Sequence, residues 1–159
     1  MTLKIDEPAD TPTITMSRTI NAPREKVWEV FTNPEHVRQW YGGFGFTNPV
    51  CEMDVRPGGR WSHVMRTPEG YEVALEYVFV EVRKPERLVW EGADQGREAL
   101  HGSATPRVEI TLEDLGAQTG WTMVARFASD EQREVARQMG FISVLSEGTQ
   151  KFDALIASL

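Results

Sequence analysis

The chain has 159 residues, a formal net charge of −7 and 40% hydrophobic residues. That length fits one domain able to bury roughly 70% of the surface its unfolded chain exposes, so neither metal nor disulfide is needed to hold a core together. The acidic balance argues against nonspecific attraction to nucleic acid or anionic lipid, and the lone Cys51 excludes an internal disulfide, which fits a reducing compartment. Residues 1–12 are polar and mixed in charge, without the apolar core of a signal peptide, and no apolar run reaches the length of a membrane span. They read as a flexible tail ahead of a single domain over 13–159, in a cytoplasmic protein with no membrane attachment.

In chain order, residues 13–20 alternate, with Ile14, Met16 and Ile20 on one face and Thr13, Thr15, Ser17 and Thr19 on the other, as in a strand with one wet side. Asn21-Ala22-Pro23 turns the chain into a helix, since proline suits the first helical position, where no backbone donor is missed. Val27, Trp28, Val30 and Phe31 form its buried side, opposite Arg24, Glu25, Lys26 and Glu29. Asn33-Pro34 repeats the signal and opens a second short helix ending near Trp40. The loop that follows, Trp40-Tyr41-Gly42-Gly43-Phe44-Gly45-Phe46, is aromatic and glycine-rich. Its rings are expected to plug one end of the core, the alternative being a mouth that contacts a ligand.

Cys51, Met53 and Val55 then alternate with Glu52, Asp54 and Arg56, and Pro57-Gly58-Gly59 turns the chain into a strand in which Trp61, His63 and Met65 share a face. A turn at 67–70 leads to a long strand over 71–82. Its faces read Val73, Leu75, Tyr77, Phe79 and Ala74, Glu76, Val78, Val80, so at least part of it is expected to be covered on both sides. After the turn at Lys84-Pro85-Glu86 comes a strand containing Trp90, and then residues 92–106, rich in Gly, Ala and Ser. A loop of that length in a compact domain is functional or mobile. Val108, Ile110 and Leu112 mark the next strand, and Trp121, Met123, Ala125 and Phe127 the last.

Ser129-Asp130-Glu131-Gln132 reads as a capping box with acids in the first turn. Apolar residues recur at Val135, Met139, Ile142, Leu145, Phe152, Ile156 and Leu159, with Thr149 as the one polar member of the stripe. Unbroken, this helix would be roughly 40 Å long at 1.5 Å per residue. Gly140 and Gly148 interrupt it, and a kink or break is expected near Gly140. A strand, two helices, a meander of six strands and a final helix make an α+β fold, in which a curved antiparallel sheet is closed by the C-terminal helix. Any ligand is expected between the two.

These residues also carry a family resemblance. Asn21-Ala22-Pro23 with Val27-Trp28, then Asn33-Pro34-Glu35 and Trp40-Tyr41, resembles the opening of the SRPBCC, or START-like, superfamily. Residues 54–61 (Asp-Val-Arg-Pro-Gly-Gly-Arg-Trp), residues 85–90, and Glu147-Gly148 followed by Phe152-Asp153-Ala154-Leu155 are similar to homologues of the heat-shock-protein-90 ATPase activator. The resemblance implies a helix-grip fold with a cavity between sheet and helix, in a superfamily of lipid and hormone carriers, polyketide cyclases and co-chaperone domains. Thr149 stands where many relatives carry an aromatic residue, which implies extra room or a hydroxyl on the cavity side. The eukaryotic activator has a further N-terminal domain involved in contacting the chaperone; residues 1–12 are too few to supply it, so a chaperone partner is not expected.

No motif specifies a reaction. His63 is the most interesting titratable group, as a general base or a donor to a ligand, against the plainer alternative of a satisfied core histidine. Glu76 is a candidate acid or base if its face is the inner one, and an uninformative solvated carboxylate if the outer. His36, His63 and His101 show no ligand spacing, so no metal is expected, and the absence of a phosphate-binding glycine loop gives no cofactor. None of the serines sits in a nucleophile elbow. The expected function is binding of a small, largely apolar or amphipathic molecule, with Trp61, His63, Tyr77 and Trp90 from the sheet and Met139, Ile142, Leu145 and Thr149 from the helix as walls. The alternatives are a cyclase, dehydratase or hydrolase using His63 or Glu76 in the same cavity, and a chaperone-interacting module. A homodimer is left open, because alternation does not show which rings are outside.

Overall fold

The computed structural model describes residues 3–93 and 106–159. Twelve elements follow one another: β1 (Lys4–Asp6), β2 (Thr13–Ile20), α1 (Arg24–Thr32), α2 (Pro34–Trp40), β3 (Thr47–Met53), β4 (Arg60–Arg66), β5 (Glu72–Arg83), β6 (Arg87–Gly92), β7 (Arg107–Leu115), β8 (Gln118–Arg126), α3 (Asp130–Gln138) and α4 (Phe141–Ser158). The strands form one antiparallel sheet in the order β1-β2-β8-β7-β6-β5-β4-β3. The predicted meander is β3 to β8. It runs outward from β8 strand by strand, and β2 closes onto β8 from the other side, with Met16 opposite Met123 and Arg18 opposite Trp121. Lys4–Asp6, inside the segment read as a loose tail, pairs with β2 as an edge strand. That segment is also tied to α3, through a Glu7–Arg137 ion pair and through Arg133, which donates to the carbonyls of Pro8 and Thr11. Composition missed this because the ties are long-range.

Alternation places one face of each strand inward. On β2, Ile14, Met16, Arg18 and Ile20 are buried; on β8, Thr119, Trp121, Met123 and Ala125. On β5 the inner set is Val73, Leu75, Tyr77 and Phe79. The outer set is less covered than its apolar character predicts, since Ala74 and Val80 are exposed. The register shifts between Phe79 and Glu81, a bulge of the kind that bends a strand.

The helices begin where their caps dictate. Asn33 caps α2 by accepting from the Glu35 amide at 3.0 Å, and Ser129 caps α3 by accepting from Gln132 at 3.1 Å. Val27, Trp28, Val30 and Phe31 are the buried side of α1, as expected. The long C-terminal stripe is broken at Gly140, whose φ of 87° lies in the left-handed region that glycine enters without a Cβ penalty, so α3 and α4 are separate helices. Phe152 and Ile156 anchor the C-terminal half of α4 in the core. Phe152 lies 4.8 Å from Phe31 and 5.4 Å from Trp40, ring centre to ring centre.

Candidate ligand-binding cavity

Between the sheet and α3–α4 lies a cavity of about 440 Å³ with predominantly apolar walls. Arg18, Leu75, Tyr77, Trp90, Ile110 and Trp121 line it from the sheet; Met139, Leu145, Thr149 and Phe152 line it from the helices; Tyr41 and Phe46 reach it from the loop after α2. Three contacts bind that loop to α4. Glu147 Oε1 accepts from the Phe44 amide at 2.8 Å, Lys151 Nζ donates to the Gly43 carbonyl at 2.9 Å, and Gly148 lets the helix come so close that a Cβ there would lie 3.3 Å from the Gly42 carbonyl. The loop is therefore both plug and mouth, since Tyr41 covers core rings below it and faces the cavity.

Of the predicted wall residues, Tyr77, Trp90, Met139, Leu145 and Thr149 line the cavity. The Thr149 hydroxyl is turned to its own helix, donating to the Ser146 carbonyl at 2.7 Å. Trp61, His63 and Ile142 are not part of the lining. Alternation assigned Trp61 and His63 to the correct face but did not reveal that Tyr41 would lie over them, its ring centre 5.5 Å from Trp61 and 4.3 Å from His63. Ile142 is half-buried and packs against the core instead.

His63 is 1% exposed and fully engaged. The Trp61 indole, which can only donate, gives its Nε1–H to His63 Nδ1 at 3.2 Å; the imidazole is thus the Nε2–H tautomer and donates to Asn48 Oδ1 at 2.7 Å. Asn48 Nδ2 in turn donates to the carbonyls of Arg38 and Tyr41. Burial, and secondarily the Arg38 charge, lowers the His63 pKa to about 4, so it is neutral at neutral pH. With both ring nitrogens occupied, the chain Trp61–His63–Asn48 fixes the Tyr41 backbone and leaves no nitrogen for acid–base work. Glu76 is on the outer face, exposed, accepting from Ser62 Oγ at 2.9 Å. The pairing of His63 and Glu76 around one substrate atom is not met.

The polar groups at the cavity are others. The Tyr41 and Tyr77 hydroxyls are 2.8 Å apart. Burial raises both pKa values, that of Tyr77 to about 12, so both remain protonated at neutral pH. One hydrogen bond joins two O–H groups, which leaves one proton for an acceptor in the cavity. Arg18 is the one charged residue among the described wall residues. Its Nη1 pairs with Asp153, and its Nε–H and the Nε1–H of Trp121 are buried without partners; a buried donor left unpaired costs about 1–3 kcal/mol. Arg18 was legible in principle, for it shares the i, i+2 spacing of Ile14, Met16 and Ile20, an arginine on the apolar face of a strand. Tyr41 stood in the aromatic loop whose alternative reading was a ligand-contacting mouth, whereas Trp121 stood in its strand as one more apolar ring. Among the described residues no group of three His, Cys, Asp or Glu side chains converges on a metal position; His101 and most of the 92–106 stretch lie outside the described residues, though Pro106 lines the cavity.

A curved antiparallel sheet closed over a cavity by a C-terminal helix is the helix-grip architecture of START-like, or SRPBCC, proteins. Residues 21–157 match the family described as Activator of Hsp90 ATPase homolog 1-like protein, and the chain belongs to that family. Solved structures agree in fold. Protein NE0264 from Nitrosomonas europaea is 25% identical, with a TM-score of 0.83 over 96% of this chain and 97% of its own. Protein Ms6760 from Mycobacterium smegmatis is 24% identical, with a TM-score of 0.83 over 97% and 96%. An AHSA1-like protein from Aeromonas hydrophila is 19% identical, with a TM-score of 0.68 over 89% and 93%. The comparison with curated proteins gives no match. Among the described residues no helix is long and apolar enough to cross a membrane. Family membership supports a START-type ligand-binding or activator module.

Proposed function

We propose that this protein binds a small, largely apolar molecule in the cavity between the sheet and α4. The observation that carries the reading is the cavity of about 440 Å³, which falls within the ~300–1,000 Å³ typical of small-molecule sites and pairs apolar walls with few polar groups. The free proton of the Tyr41–Tyr77 pair would orient a ligand oxygen. Because both hydroxyls stay protonated at neutral pH, they serve as donors, and no base lines the cavity among the described residues. Titration with N-phenyl-1-naphthylamine, a neutral apolar fluorophore, tests the reading. Saturable one-to-one enhancement in the wild type, lost when Leu145→Trp fills the cavity, supports it; no saturable binding by the wild type refutes it.

The family description favours a second reading, a chaperone-interacting module. Stimulation of a chaperone ATPase by the purified protein, unaffected by Leu145→Trp, would favour that reading over a ligand carrier.

A further inference from the structure

Arg18 reaches the cavity because β2 alternates, and it faces Trp121 because the two residues are directly opposite in the β2–β8 register. Its guanidinium carbon lies 5.2 Å from the Trp121 ring centre and 5.7 Å from that of Phe152, and its side chain is 2% exposed. An arginine carries five N–H donors in a planar fork. One goes to Asp153, and no other hydrogen bond from this guanidinium is made among the described residues. Beside it the Trp121 indole N–H is also buried and unpaired. Among the described residues no Asp or Glu lines the cavity, so this corner has several donors and a positive charge but no carboxylate from the described walls. A purely structural ion pair between β2 and α4, with its ring contacts, would account for the Asp153 bond but not for the unpaired Nε–H and the Trp121 N–H beside it.

We propose that the ligand of this cavity is an apolar acid, whose carboxylate docks on Arg18 and the Trp121 N–H while its apolar body lies along the remaining walls. Planar bidentate recognition of a carboxylate is what a guanidinium fork does best, and such bonds gain strength away from water. Asp153 is 45% exposed, so water screens its charge; it holds one terminal nitrogen and leaves the rest of the fork to the ligand. The Tyr41–Tyr77 proton then serves a second oxygen, if the ligand has one. This assignment rests on the reading of the cavity as a ligand site and adds the chemical class.

The test compares decanoate with 1-decanol, two probes of equal chain length that differ in the head group, by isothermal titration on the full chain near neutral pH. Decanoate is expected to bind about tenfold or more tightly than decanol. Arg18→Gln and Trp121→Phe are expected to weaken decanoate by about tenfold and about threefold, and decanol, whose neutral hydroxyl gains less from these donors, by a clearly smaller factor. Trp121→Phe keeps a ring in place and removes only the indole N–H, so it reports even where Arg18→Gln fails to fold. Equal affinity of the wild type for both probes overturns the assignment and leaves the cavity reading standing, as does an equal loss for both probes in Trp121→Phe. Binding of neither probe overturns the cavity reading and this assignment with it.

Discussion

Acidification should weaken the fold through His63, independently of the carboxylates. The ring is buried, accepts from the Trp61 indole and donates to Asn48, so it has no position for a second proton: protonation would face the Trp61 N–H with another N–H. Its pKa is lowered from 6.5 to about 4. The unfolded chain therefore takes up a proton as pH falls through 6.5 while the native state refuses it. The stabilisation is complete above about 6.5, is lost progressively toward about 4, and changes no further below that. At about 1.4 kcal/mol per pH unit between the two values, the loss reaches about 3 kcal/mol at most. The assay is urea unfolding at several pH values between 7.5 and 4.5 for the wild type and His63→Gln, which does not titrate. The variant should be less stable near pH 7 by about 1–3 kcal/mol, since the indole donor and Asn48 lose their fitted partner. The gap between the two proteins should narrow by about 2 kcal/mol toward pH 4.5. Carboxylates such as Glu109, which burial pushes up but Arg126, Arg87 and Arg107 together hold below the usual range, act equally in both proteins and cancel in the difference. Parallel stability curves for the two proteins would refute the reasoning, because His63 would then titrate alike in the native and unfolded states.

Phe152→Ala should cost about 3–5 kcal/mol in urea unfolding, since the ring is 1% exposed and joins α4 to Phe31 and Trp40. Gly148→Ala should be close to neutral in the same assay, its gain in helix propensity of about 1 kcal/mol offset by the 3.3 Å approach to the Gly42 carbonyl, whereas Gly148→Leu should destabilise by about 2 kcal/mol or more and release the Tyr41 loop from α4. Glu76→Ala, on the exposed outer face, should stay within about 0.5 kcal/mol of the wild type and leave N-phenyl-1-naphthylamine binding unchanged.

The elements that could be read from the sequence are those set by local chemistry. The Asn33 and Ser129 caps, the period-two strands and the left-handed Gly140 each act within a few residues, and each appears where the residues indicate. The fold followed from their order. What escaped depends on chain brought from elsewhere. Trp61 and His63 were assigned to the inner face correctly, yet whether an inner residue lines a cavity or lies under another layer is decided by Tyr41, which arrives from the loop after α2. Edge strand β1 is invisible in Lys4-Ile5-Asp6, three exposed residues too few to show alternation, because pairing to β2, not composition, makes it a strand. Glu76 was ambiguous because both faces of β5 are apolar, so alternation carried no sign there. Arg18 was the readable residue that went unread. Its position in the Ile14, Met16, Ile20 series places a charge on a buried face, and a buried charge needs a partner.

The most direct test of the cavity as the binding site is methyl NMR of the labelled protein during titration with N-phenyl-1-naphthylamine. The account predicts shifts concentrated in Val108, Ile110, Met123, Met139, Val144 and Leu145, which line the cavity from opposite sides. Shifts confined to exposed apolar residues such as Ile5 and Leu115, with the cavity methyls unmoved, would contradict it.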